Sequence, residues 1–205
     1  LGTYGDSGNA LILAERARRR GIEAEVVHVG LTEEIPDSLD IYTLGGGEDT
    51  AQALAADKFR GTSGLARALD AGRPLLAICA SLQVLGHWYE DARGVRVPGM
   101  GVLDITTRPQ GHRAIGELVC EPVLNGLTQT LTGFENHGGG TVLGPDASPL
   151  GRVISGVGNG TPLGEEAPEV RYDGAVQGSV IATYMHGPAL ARNPELADLL
   201  LERAT

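Results

Sequence analysis

Apolar side chains return at Ala10, Leu11, Leu13, Ala14 and Ala17 with the spacing of one helix face, and the run stops at Gly21. Leu1–Gly8, ahead of it, reads as a loop in which Asp6 or Ser7 can cap that helix. Glu25–Val29 is short and β-branched and predicts a strand. Leu39–Leu44 predicts a second strand, ending in Gly45-Gly46-Gly47. Helical patterns follow around Thr50–Ala56 and Ser63–Ala71, and Gly72 stops the second. Pro74 then opens Leu75–Ile78, an unbroken apolar run of the kind a parallel strand shows when both its faces are covered. A helix begins at once, with Leu82, Leu85 and Trp88 along one side.

Strand–helix alternation of this kind predicts an α/β fold around a mostly parallel sheet flanked by helices. From Val95 to Gly187 the pattern changes to short strands broken by Gly and Pro: Val102–Thr106, Leu118–Cys120, Arg152–Ser155 and Ser179–Tyr184. These read as antiparallel or edge strands, so the second half is β-rich. Pro194–Ala204 closes the chain as an amphipathic helix with Leu196, Leu199 and Leu200 inward. With no repeat, low-complexity tract or linker, residues 1–205 are expected to form one domain. The chain opens with Leu1 rather than Met and enters a turn directly, so an N-terminal strand is expected to be missing.

Composition narrows the function. With 16 Lys and Arg against 26 Asp and Glu, the net charge is −10. That argues against nucleic-acid binding, which needs a cationic face, and against a basic membrane-surface module. No apolar run approaches the ~18 residues of a membrane span, and no charged-then-apolar leader is present. Two cysteines, Cys79 and Cys120, make no disulfide framework, and the plain expectation is the cytoplasm. No Cys or His pair has metal-ligand spacing, so neither a metal nor a cofactor is expected. Gly45-Gly46-Gly47 is followed by no Gly-Lys-Ser/Thr and does not support nucleotide binding. It is either an ordinary turn or a place where backbone N–H groups converge on an anion.

The most informative segment is Pro74–Gly86, where a buried strand ends at Cys79 and a helix starts immediately. This is the layout of a nucleophile elbow, with small residues, Ala77 and Ser81, on either side. A helix start there would lower the thiol pKa and aim N–H groups at a developing oxyanion. The segment alone fits an inert buried cysteine equally well. A nucleophilic thiol needs a base, and of five histidines His186 is favoured because it follows an apolar strand at a Gly-Pro turn. His137 lies in another tight loop, His28 reads as structural, and His87 and His112 have no comparable setting. Arg113 stands among few basic residues mid-chain. It is either a surface cation or a holder of a carboxylate.

Taken together, the Gly-rich loop, Leu-Ala-Ile-Cys-Ala-Ser-Leu-Gln at the elbow and the late Tyr-Met-His resemble class I glutamine amidotransferases of the CobB/CobQ-like branch. Four segments resemble more narrowly the GatD-type glutaminase subunits of lipid II isoglutaminyl synthase. They are Tyr4-Gly5-Asp6-Ser7-Gly8-Asn9, Gly45-Gly46-Gly47-Glu48-Asp49, Gly133-Phe134-Glu135-Asn136-His137-Gly138, and His186-Gly187-Pro188 with Asn193-Pro194. The resemblance covers nearly the whole chain. It implies a flavodoxin-like amidotransferase fold and hydrolysis of L-glutamine through a cysteinyl thioester. It implies Cys79 as nucleophile, His186 as proton relay and the N–H groups of Gly47 and Ala80 as oxyanion donors, with Gln83 and Arg113 against the substrate. It implies a heterodimer with a MurT-like, ATP-dependent Mur ligase subunit. That partner uses the ammonia to amidate the D-glutamate α-carboxyl of lipid II to D-isoglutamine.

Three positions depart from the family pattern. Ala77 and Ser81 replace the elbow glycines, and Pro188 stands where many relatives carry a glutamate two residues after the histidine. The expectation is therefore a Cys79–His186 dyad, or a third acid lent by the partner. The alternatives are another cysteine hydrolase of the same fold, such as a γ-glutamyl hydrolase, a cobyrinate-type amidotransferase, or a non-catalytic scaffold.

Overall fold

The computed structural model describes residues 3–61 and 63–204. Leu1 and Gly2, the start of the expected opening loop, lie outside it, as do Thr62 and Thr205. A 3-10 turn at Thr3–Gly5 leads into helix α1 (Gly8–Arg18). There follow β1 (Tyr42–Leu44), α2 (Asp49–Gly61), α3 (Gly64–Asp70), β2 (Leu75–Ile78) and α4 (Ala80–Leu85). The β-rich half comprises β3 (Trp88–Glu90), β4 (Arg96–Pro98), β5 (Ile105–Pro122), β6 (Leu131–Leu143), β7 (Gly151–Ser155), β8 (Tyr172–Asp173), β9 (Ala175–Gln177) and β10 (Val180–Thr183). Helices α5 (Ala189–Arg192) and α6 (Pro194–Ala204) end the described chain.

The first sheet has the order β1-β2-β10-β9, with β2 parallel to both β1 and β10 and only β9 antiparallel. All four residues of β2 and of β10 are buried, which is why those segments read as unbroken apolar runs. The second sheet runs β4-β3-β5-β7-β8, with β6 also paired to β5. One apolar cluster joins the two: Leu76 and Ile181 of the first sheet, Leu82 and Leu85 of α4, Leu118 of β5 and Leu200 of α6 all belong to it. Helix α6 starts with Pro at its first position, where the missing N–H costs nothing. Leu196, Ala197 and Leu200 face inward, whereas Leu199 is only partly buried. The Arg16–Asp198 pair at 2.7 Å ties α1 to α6.

Several expectations change. Glu25–Val29 is not a strand. It makes no ladder, and with Leu13, Ala14 and Tyr42 its Val26 lines a cleft of ≈ 760 Å³. Trp88 does not continue the helix after the elbow; α4 ends at Leu85 and Trp88 opens β3. Some of the short strands expected in the second half merge into a single long hairpin, β5–β6, whose register shift between Pro109 and Ala114 explains why it looks broken in sequence. The strand expected at Ser179–Tyr184 as an edge or antiparallel element is instead central, parallel to β2 and antiparallel only to β9. The helix-capping role expected of Asp6 or Ser7 is also absent: Ser7 makes no side-chain cap, and the Asp6 carboxylate is used elsewhere.

Candidate active site

Cys79 joins β2 to α4 with φ +52° and ψ −105°, a conformation that non-glycine residues avoid and that costs about 1–3 kcal/mol. The strained elbow therefore forms with Ala77 and Ser81 in place of glycines. The Cys79 N–H donates to the Thr183 carbonyl at 2.9 Å, which ties the elbow to the end of β10. The carbonyl end of neighbouring parallel strands is where such sheets gather ligands. His186 lies three residues past β10. Its N–H donates to the Phe134 carbonyl of β6 at 2.8 Å, and the Asn136 carbonyl of the same strand is 3.9 Å from Cys79 Sγ. Strand β6 thus meets the His186 backbone and the Cys79 thiol.

His186 Nδ1 is 2.9 Å from Asp6 Oδ2, with both side chains buried. A carboxylate only accepts, so Nδ1 carries the hydrogen, and in the neutral imidazole Nε2 is then the acceptor. Among the described residues Nε2 has no hydrogen-bond partner. Neither the expected dyad nor the expected acid lent by the partner includes Asp6, yet a carboxylate from the opposite end of the same chain faces the imidazole. Pro188 has a role in this. A Cβ on Gly8 would come within 2.9 Å of the Pro188 ring, and one on Gly5 within 3.7 Å. The loop carrying Asp6 therefore rests on the residue that replaces the usual acid. Nothing local in the sequence announces a contact spanning 180 positions.

The Gly-rich loop after β1 is held at the same place. Gly46 N–H donates to Asp6 Oδ2 at 2.7 Å, and the Ser81 hydroxyl donates to the Gly45 carbonyl at 2.7 Å. The N–H of Gly47 makes no hydrogen bond among the described residues, and the Ala80 N–H is directed at Cys79 Sγ.

The expected depression of the thiol pKa is corrected. Burial pushes Cys79 up to about 12, the negative charge of Asp6 adds to this, and the Ala80 N–H and the Arg113 charge oppose it. Helix α4 has only 6 residues, and Cys79 is 7 % exposed, so desolvation wins. Arg113 is itself exposed; its Nε donates to Asn136 Oδ1 at 2.6 Å, and Asn136 Nδ2 donates to the Tyr4 hydroxyl at 2.6 Å. Tyr4 stands edge-on to His186 with ring centres 5.0 Å apart. Gln83 lies one turn past the elbow, and its carboxamide is engaged at both ends, accepting from Gln52 at 2.7 Å and donating to the Tyr184 hydroxyl at 3.1 Å. The other cysteine, Cys120, is wholly buried in β5, and burial raises its thiol. His137 stacks on Tyr184 at 3.7 Å, and its Nδ1–H donates to the Gly139 carbonyl at 3.0 Å. His28, His87 and His112 are exposed.

A strained cysteine at the elbow, an imidazole with one unpartnered nitrogen and an acid behind it, and the unpaired Gly47 N–H are the groups that acyl transfer uses. Comparison with known proteins agrees. Residues 1–194 match the model of the CobB/CobQ-like glutamine amidotransferase domain. The chain is 38% identical over 206 residues to the GatD subunit of the glutamine-hydrolysing lipid II isoglutaminyl synthase of Staphylococcus aureus (strain N315), covering 100% of this chain and 80% of that one. The corresponding subunit of Streptococcus pneumoniae is 35% identical, with 100% of this chain and 76% of that one covered. A probable cobyric acid synthase of Methanothermobacter thermautotrophicus is 35% identical over 74% of this chain but only 31% of its own length. Among solved structures, a glutamine amidotransferase superposes with a TM-score of 0.59 at 20% identity, covering 95% of this chain and 93% of that one.

Proposed function

The chain belongs to the CobB/CobQ-like glutamine amidotransferases, and on that premise we propose that it is the glutaminase subunit of a lipid II isoglutaminyl synthase. Cys79 Sγ attacks the side-chain carbonyl carbon of L-glutamine while its proton passes to His186 Nε2. Transfer and attack are coupled, because a thiol held near 12 does not accumulate as thiolate beforehand. The N–H groups of Gly47 and Ala80 take the oxyanion. The imidazolium is stabilised by Asp6 through Nδ1 and returns its proton to the amide nitrogen, which leaves as ammonia. Water, deprotonated by the same nitrogen, then opens the thioester to glutamate and the free thiol. Arg113 holds the substrate carboxylate at the mouth of the site, and Gln83 lines its inner side.

The ammonia passes to a MurT-like ATP-dependent ligase in a heterodimer. The ligase amidates the D-glutamate α-carboxyl of lipid II, and the pair works in the cytoplasm. The observation that carries this reading is the buried Asp6–His186 pair, with His186 bridged to the strand β6 whose Asn136 carbonyl the strained Cys79 thiol faces. The full alignment with the two GatD subunits favours it over the cobyrate-type reading, whose enzymes align over only part of this chain. The test is glutamine hydrolysis by the full-length protein and its Cys79→Ala variant, followed by co-purification with a Mur-type ligase and a glutamine-dependent lipid II amidation assay. Hydrolysis that survives Cys79→Ala overturns the mechanism. Amidation of a cobyrinate acceptor rather than lipid II overturns the assignment.

A further inference from the structure

The Gly45 carbonyl and the Gly46 N–H belong to one peptide unit. In a planar trans peptide they point in opposite directions. One is held by the Ser81 hydroxyl and the other by Asp6 Oδ2, each at 2.7 Å. Two bonds from opposite sides stop that plane rotating in a stretch of three glycines, which carry no side chain to restrict it. The next peptide carries the unpaired Gly47 N–H, and only the φ and ψ of Gly46 lie between it and the clamped plane, so the clamp sets the frame from which that N–H is aimed. Ser81 is fully buried in the first turn of α4, and its hydroxyl reaches across to the loop instead of bonding back within its own helix.

We propose that Ser81 and Asp6 clamp the Gly45–Gly46 peptide and thereby aim the Gly47 N–H, which makes Ser81 a positioning residue for the oxyanion. The inference rests on the glutaminase reading given above. It gives a function to the serine that stands in place of the second elbow glycine. It also joins the two halves of the site. Asp6 Oδ2 is shared between Gly46 and His186 Nδ1, so the group that orients the base also anchors the loop on which the oxyanion settles.

The test compares Ser81→Ala and Ser81→Gly with the unaltered full-length protein. The readouts are kcat and KM for glutamine, inhibition by L-glutamate γ-semialdehyde, and alkylation of Cys79 by iodoacetamide. The aldehyde places a tetrahedral oxygen where the oxyanion forms, whereas alkylation needs no oxyanion. Losing one neutral hydrogen bond predicts a fall in kcat of about 5- to 10-fold in both variants, with KM within about twofold. Aldehyde inhibition should weaken by the same factor as kcat/KM, while the alkylation rate and melting temperature stay close to those of the unaltered protein. Unchanged kcat and aldehyde affinity overturn the clamp. So does a loss shared equally by alkylation, because the serine would then support the elbow rather than the loop. Absence of glutamine hydrolysis in the unaltered protein instead overturns the glutaminase reading.

Discussion

Replacing Asp6 separates its charge from its geometry. In Asp6→Asn the side chain keeps one acceptor oxygen and gains an NH2 group. Gly46 N–H and His186 Nδ1–H both point at the position of Oδ2. An NH2 there would oppose two donors, so the amide oxygen takes that position and the NH2 replaces Oδ1, which has no partner among the described residues. The imidazole keeps its tautomer, and what disappears is the negative charge facing the imidazolium that forms in the reaction. A buried charge-assisted hydrogen bond exceeds a neutral one by about 1–3 kcal/mol, so kcat should fall about 10- to 100-fold. Asp6→Ala also strands the Gly46 N–H and frees the ring. An unpaired buried donor costs a further ~1–3 kcal/mol, and the ring can adopt the unproductive tautomer, so the loss should exceed that of Asp6→Asn by at least about tenfold. The assay is steady-state release of glutamate, with melting temperatures recorded for each variant. An Asp6→Asn enzyme within about threefold of the unaltered one would refute the assignment of Asp6 to His186. Equal losses in the two variants would refute the argument about the shared oxygen.

Arg113→Ala should raise KM for glutamine about tenfold or more with a smaller effect on kcat, and Arg113→Lys should recover only some of the loss, because a point charge does not replace a two-pronged guanidinium; a kcat-only effect would contradict this. Asp173 is wholly buried, and burial raises it from 3.8 to about 6, so the folded state binds its proton more tightly than the unfolded chain does. Its contribution to stability is therefore fully present below about pH 4 and is lost as pH rises through about 6, a change of about 3 kcal/mol. Urea unfolding should show Asp173→Asn gaining about that much on the unaltered protein between pH 4 and 7, and a flat difference would contradict the shift. Leu76→Ala, fully buried in the central strand β2, should lose about 2–5 kcal/mol in the same assay.

The elbow was readable because its signal is local. Leu75–Ile78 is buried on both faces, the chain reverses at once, and the small neighbours Ala77 and Ser81 allow the close approach. The strand before His186 was visible for the same reason, although its parallel pairing was not, because nothing local says which strand β2 will meet. The long β5–β6 hairpin stayed hidden behind Pro109, Gly111 and the Gly138–Gly140 run, which read as breaks but accompany an irregular register. Glu25–Val29 has strand composition and no partner, since composition specifies an extended backbone but not the edge it needs. Asp6 and the Ser81 hydroxyl were the costliest omissions at the site. Both act across distances in sequence that no spacing rule spans, and Asp6 looked like a helix cap because a short acidic residue before a helix usually is one.

The most direct measurement is mass spectrometry of the full-length protein after exposure to 6-diazo-5-oxo-L-norleucine, a glutamine-shaped diazoketone that alkylates a reactive thiol with loss of dinitrogen. A single adduct on the peptide containing Cys79, suppressed by excess L-glutamine and lost together with glutaminase activity, is the predicted result. Modification of Cys120, or an adduct at Cys79 that L-glutamine does not suppress, would contradict a glutamine-binding nucleophile at the elbow.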